Sequence, residues 1–258
     1  MGSNPIILAE NILELGTPAA TDTASGYDVA NITDRRPYTY WQANAAGTKY
    51  VTVDCGVATT ADAIGFVGHN FYTASAQVSV ECSDDNFAAE TIEALAAFTP
   101  ASDRALLKVF TSKNKRYWRI KMVTAAVAAK IGVVLLGDRV TFNTAPVAPF
   151  DPFPESVIAE TARAKSGHII ASAKRYVASR IVAKFKGVSA AWISSTFKTL
   201  WDTYLAELYP FFWAWDLTNY STAAYWVVIP EDFELRIEYG DLGLTYRDMT
   251  LEFEAIKE

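Results

Sequence analysis

Four prolines, Pro146, Pro149, Pro152 and Pro154, fall within residues 143–155 (NTAPVAPFDPFPE). Proline has no backbone N–H and a fixed φ, so neither a helix nor a central strand runs through such a stretch, and the chain there is extended and semi-rigid. The segment therefore divides the 258 residues into two blocks. The expected organisation is a first domain over 1–145, with its core at about 20–140, a linker over 146–158, and a second domain over 159–258.

Both blocks have the material for packed cores. Hydrophobic residues make up 51% and charged residues 20% of the chain, a balance unlike that of disordered segments. The net charge of −6 gives no electrostatic reason for a nucleic-acid partner. The two cysteines, Cys55 and Cys82, sit in strand-like runs and read as small core residues; one bridge between them stays open, whereas a disulfide framework does not. The N-terminus lacks a basic n-region and is interrupted by Glu10 and Glu14, unlike a signal peptide. The most apolar stretch, 125–136, is too short to span a bilayer and contains Lys130, so no membrane insertion is expected. Synthesis and assembly in the cytoplasm follow as an expectation, with the sequons at Asn31 and Asn219 as chance matches.

The first block reads as all-β. Short runs rich in Val, Ile and aromatics at 50–55, 63–67, 76–81, 106–110, 117–123 and 131–136 are separated by turn-formers at 68–70, 83–86, 100–103 and 113–115. This spacing predicts a sandwich or jelly roll, with a weak helical signal at 88–97. The second block begins with one or two long strands over 167–186. An amphipathic helix over 189–208 follows, N-capped by Ser189 and ended by Pro210. Trp192, Ile193, Phe197, Leu200, Trp201, Tyr204, Leu205 and Leu208 form its apolar stripe. Strands are predicted at 211–217, 225–229, 233–239 and 246–256, with a turn at 240–243. In the last strand Met249, Leu251, Phe253 and Ala255 share one face. The fold class is mainly β.

Charge in the second block is segregated. Residues 161–201 hold eight basic side chains and no acidic one; residues 231–258 hold nine acidic and three basic. Two readings stay open. The segments are neighbouring strands paired across one sheet, or they are opposite edges by which copies join head to tail into a ring. The second makes Lys174, Arg175, Lys184, Lys186, Glu238, Glu252 and Glu254 candidate interface residues.

Chemistry-bearing motifs are missing. There is no GxSxG elbow, P-loop, GxGxxG, HExxH or CxxC, and the two histidines, His69 and His168, lie in different blocks without a second ligand at metal spacing. No enzyme activity, cofactor or metal is expected. Aromatic and polar side chains that suit a ligand or partner contact gather in two loops: Arg35, Arg36, Tyr38 and Tyr40 in the first, His69, Asn70 and Tyr72 in the second. Trp41 beside them reads as core.

Residues 30–34 (ANITD), Trp41 and residues 50–56 (YVTVDCG) resemble the opening of discoidin domains of the coagulation factor 5/8 C-terminal type. Residues 78–85 (VSVECSDD) are similar to that family's strand and serine-aspartate turn, and 116–120 (RYWRI) to its penultimate strand. Asp85 stands where glycine is usual, and the family's terminal disulfide is missing. The resemblance covers about 20–140 and implies a jelly-roll sandwich that binds glycans or surfaces. More loosely, 160–258 resembles the tail-tube fold of long-tailed phages, a β-sandwich or split barrel with one helix. That likeness rests on the helix at 189–208, on 210–216 (PFFWAWD) and on 247–254 (RDMTLEFE). Distal tail proteins combine such a ring-forming domain with a sugar-binding-like one, although here the β-sandwich comes first. Together the resemblances imply a virion structural protein of the tail tip or baseplate, assembled in host cytoplasm. It would form a homo-oligomeric ring of sixfold or threefold symmetry with other tail proteins as neighbours. The alternative they imply is an adhesion module that contacts a host surface glycan.

Overall fold

A computed structural model describes residues 3–152, 154–239 and 245–256; the predicted turn at 240–243 lies outside the described residues. In chain order the strands of the first block are β1 (Ile6–Leu8), β2 (Ala19–Ala20), β3 (Trp41–Gln42), β4 (Gly47–Val67), β5 (Gln77–Ser83), β6 (Ile92–Phe98), β7 (Leu106–Thr124), β8 (Lys130–Ile131), β9 (Val133–Gly137) and β10 (Val140–Thr141). The second block holds β11 (Ser156–Arg163), β12 (Ile169–Ser189), one helical run over residues 190–205, β13 (Phe211–Ala214), β14 (Ala224–Val228), β15 (Arg236–Tyr239) and β16 (Tyr246–Ile256). The protein is mainly β, its paired strands are antiparallel, and it carries one helical run longer than five residues among the described residues.

Four of the predicted short strands are two long ones. β4 merges 50–55 with 63–67 through a register shift between Asp54 and Thr59, and β7 merges 106–110 with 117–123. The positive φ of Gly56 sits at the bend. The weak helical signal at 88–97 is overturned: β6 occupies 92–98 and pairs with β5, because alternation against a partner strand outweighs alanine's helix propensity.

Sheet pairing also crosses the proline segment. The six-stranded sheet runs β2-β4-β7-β5-β6 with β9 on β4, and all its strands come from the first block. The eight-stranded sheet runs β10-β1-β13-β14-β16-β12-β11 with β15 on β16, so β1 and β10 leave the first block and pair in the second. Ser3 is fixed there too, donating from its backbone N–H to Asp216 Oδ1 at 2.9 Å. The proline segment lies on the second sheet: Val147 N–H donates to Lys184 O at 2.8 Å, and the Tyr225 hydroxyl donates to Pro152 O at 3.0 Å.

Three apolar clusters result. One fills the sandwich around Trp41, Phe66 and Trp118. A second lies between the helix and its sheet, around Phe197, Phe211, Trp213 and Phe253. The third joins the two sheets: Ile6, Leu8, Val133, Leu135, Phe212 and Ala214 meet there. This explains why β1, β9 and β13 are apolar throughout. Ile7, Val134, Leu136, Phe211 and Trp213 point into the domain cores, while their neighbours in sequence point into the junction. At Gly65 a Cβ would lie 2.4 Å from the Phe212 ring, so only glycine allows the sheets this approach.

The helix alternates α turns with wider turns at Ile193–Phe197 and Trp201–Leu205. Its stripe buries Ile193, Phe197, Leu200 and Leu205, half-buries Trp192, Trp201 and Tyr204, and leaves Leu208 exposed. Leu208 lies beyond the last turn with φ 58°, a chain reversal the periodic stripe does not register. In β16 the faces divide as expected, with Met249, Leu251, Phe253 and Ala255 buried.

One part of the second block is left exposed among the described residues. β11 and the first half of β12 form a ribbon over residues 156–176 in which every residue except the half-buried Ala164 is exposed.

Candidate functional site

The two loops singled out in the sequence meet at one end of the sandwich. Asp28 caps the short turn Val29–Thr33, accepting from Ala30 N–H at 2.9 Å. Asp34 accepts from Arg36 N–H at 2.8 Å and from the Thr39 hydroxyl at 2.6 Å, and Asn31 donates its side-chain amide to Tyr40 O at 3.0 Å. The pairing of β3 with β8 then sets Lys130 beside Tyr40, its Nζ 3.9 Å from the ring centroid. Tyr27 stacks on the same ring at 4.7 Å, and the Tyr27 hydrogen bond holds the Tyr40 hydroxyl above the usual tyrosine range.

The second loop is held close against the first. A Cβ at Gly68, where φ is +68°, would lie 2.8 Å from Pro37 O, and one at Gly132 would lie 3.0 Å from the same oxygen. Asn70 bridges this contact, donating to Ala128 O at 2.9 Å and accepting from Lys130 N–H at 2.8 Å. His69 is buried and stacks on Phe71 at 4.5 Å. Its Nδ1 accepts from Phe71 N–H at 3.3 Å and its Nε2 donates to Arg104 O at 3.0 Å, so the ring is a neutral scaffold element. Asp103 accepts from Tyr72 N–H at 2.7 Å and orients the loop tip.

The seven candidate residues thus separate into display and support. Tyr38 is 75% exposed and Tyr72 57% exposed; Arg36 is exposed, and Tyr40 is half-buried under Lys130. His69 and Asn70 brace the loops. Arg35 is a correction: it is buried and turned away from this surface into the junction. Its Nε donates to Glu14 Oε1 at 3.1 Å, its Nη2 to Ala9 O at 3.0 Å and its Nη1 to Pro210 O at 3.1 Å, so it ties the first block to the residue after the helix. Trp41 is core, its indole N–H donating to Asp22 O at 3.2 Å. Lys130 was missed because β3–β8 pairing brings it to the site, and Tyr27 because a turn anchored by Ala24 N–H on Gln42 O, not sequence proximity, stacks it on Tyr40.

The candidate ring residues are engaged within the chain where their contacts are shown. Arg180 reaches Glu252 at 2.7 Å and Glu254 at 3.9 Å across the β12–β16 pair, and Arg175 pairs with Glu160 across β11–β12. The pairing of the basic with the acidic segment across one sheet therefore holds at Arg180, whereas Arg175 takes its partner from β11, outside the acidic segment. Lys184, Lys186, Glu238 and Glu252 line a groove of about 460 Å³ on the outer face of β12, β16 and β15. Lys174 lies on the exposed ribbon. No cluster of metal-ligating side chains occurs among the described residues, and no described helix is long and apolar enough to cross a membrane.

No protein-family profile matches the chain, and no curated protein matches it. Among solved structures it is similar to chitosan-binding module 1 of a chitosanase/glucanase from Paenibacillus sp. IK-5, with 16% identity over 49% of this chain and 98% of that one and a TM-score of 0.43. It is similar to the lectin domain of lectinolysin complexed with Lewis B antigen, at 17% identity over 50% and 96% with a TM-score of 0.43. It is also similar to CpGH89CBM32-6 from Clostridium perfringens, at 20% identity over 49% and 98% with a TM-score of 0.41.

Proposed function

We propose that this chain is a non-catalytic binding protein whose sandwich contacts glycans through its tyrosine surface. The observation that carries the reading is the display of Tyr38 and Tyr72 on braced loops beside the Tyr27–Tyr40 stack and Lys130. Aromatic rings gathered on one exposed surface, unlike singly scattered ones, mark interaction sites. A tyrosine face packs on the C–H face of a sugar ring while its hydroxyl hydrogen-bonds, and Arg36 and Lys130 add donors. Titration calorimetry against neutral and acidic polysaccharides tests this. The double variant Tyr38→Ala, Tyr72→Ala should weaken binding by about thirtyfold, the size of a typical hot-spot loss, with an unchanged far-UV spectrum. Binding that is indifferent to the double variant, or none by the parent chain, refutes the reading.

A second reading is favoured by the exposed ribbon over 156–176: a structural subunit of a phage tail tip or baseplate, resident in the virion and assembled as a ring with other tail proteins. Immunogold imaging of purified particles would place copies at the tail tip; particles free of the chain would dismiss it.

A further inference from the structure

The ribbon and strand β15 are open edges of one sheet that face opposite ways. β11 lies on the side of β12 away from β16, and β15 lies on the side of β16 away from β12. Among the described residues β11 pairs only with β12, and β15 only with β16. A two-stranded ribbon is at best marginally stable in water by itself. This one exposes Val157 (62%), Ile169 (59%) and Ile170 (70%), so it gains by being covered. Small residues at Ala159, Ala162, Ala171 and Ala173 leave its faces flat enough for another backbone to come close.

Charge says what covers it. Residues 156–176 carry Arg163, Lys165, Lys174 and Arg175 against the single carboxylate Glu160. Residues 231–239, which lead into and form β15, carry the inverse: Glu231, Asp232, Glu234 and Glu238 against Arg236. Ribbon to ribbon would oppose like charges. Within the groove beside β15, Arg180 is matched by Glu252 and Asp232 and Arg236 by Glu234, while Lys184 and Lys186 sit further in on β12; among the described ion pairs of this segment Glu231 and Glu238 do not take part.

We propose that the ribbon is donated in trans, with the outer edge of β11 in one copy hydrogen-bonding along the open edge of β15 in a second copy and its cations facing Glu231 and Glu238. Opposite edges make the contact heterologous, so repetition by rotation closes a ring. This rests on the assembly reading, and the experiment separates the two. Native mass spectrometry and light scattering of the full chain would show a multimer. The variant Glu231→Lys, Glu238→Lys should weaken self-association by about tenfold and regain it when mixed with Lys165→Glu, Lys174→Glu. A disulfide should form between Thr161→Cys of one copy and Glu238→Cys of another only on mixing. A multimer untouched by the charge reversals and giving no mixed disulfide overturns the ribbon contact but keeps the assembly reading. A chain that is monomeric at all concentrations overturns both.

Discussion

Arg35 and Arg36 are adjacent and chemically identical, yet one is a buried clamp and the other is exposed. The difference lies in the backbone: Arg35 has φ 59°, which sends its side chain into the junction where Ala9 O, the Glu14 carboxylate and Pro210 O accept its hydrogen bonds. A left-handed arginine costs free energy that those hydrogen bonds offset. His69 likewise reads as a ligand or partner contact in the sequence and is a buried neutral brace in the fold. Burial pushes its pKa from 6.5 down to about 4. The unfolded chain then binds more protons than the folded one between those values, so the stability His69 contributes is complete above about pH 6.5 and is lost as pH falls through about 4. The loss amounts to about 3 kcal/mol. Glu10 and Asp138, raised by burial, act with the opposite sign over the acid range. The comparison that isolates His69 is therefore denaturant unfolding of the parent and of His69→Gln from pH 7 to pH 4. The stability difference between them should shrink as pH falls, and a constant difference contradicts the assignment.

At the scale of elements, period-two alternation located β16 and its buried face because an edge-to-edge antiparallel pairing gives each strand one wet and one dry side. The same rule blurs in β1, β9 and β13, where both sides are dry. The helix was legible from its stripe and from Ser189, which accepts from Trp192 N–H, but its end was not. Leu208 N–H donates to Leu205 O at 3.1 Å and Tyr209 N–H to Tyr204 O at 3.1 Å, a left-handed cap that glycine fills best. Replacing the exposed Leu208 by glycine should raise stability by about 1 kcal/mol, seen as a higher thermal midpoint; an equal or lower midpoint would show that Leu208 is held by packing instead.

At the scale of the whole molecule, the two blocks are bound by a shared sheet, a junction cluster and the Arg35 clamp. Calorimetry should therefore give a single unfolding transition, and Gly65→Leu, which drives a side chain into the Phe212 ring, should split or lower it. Two separate transitions in the parent chain would show the junction to be weak. What the sequence determined by itself is what depends on near neighbours: strand alternation, the helix stripe, the core role of Trp41, and a proline segment whose described residues form no strand. What only the tertiary structure decided depends on partners far along the chain. β1 joins a sheet whose other strands follow 130 or more residues later, Lys130 reaches Tyr40 through β3–β8 pairing, and the ribbon is left without cover. Local propensity is blind to these because the free energy that selects them comes from burial between segments, and the order of residues does not state which segments will meet.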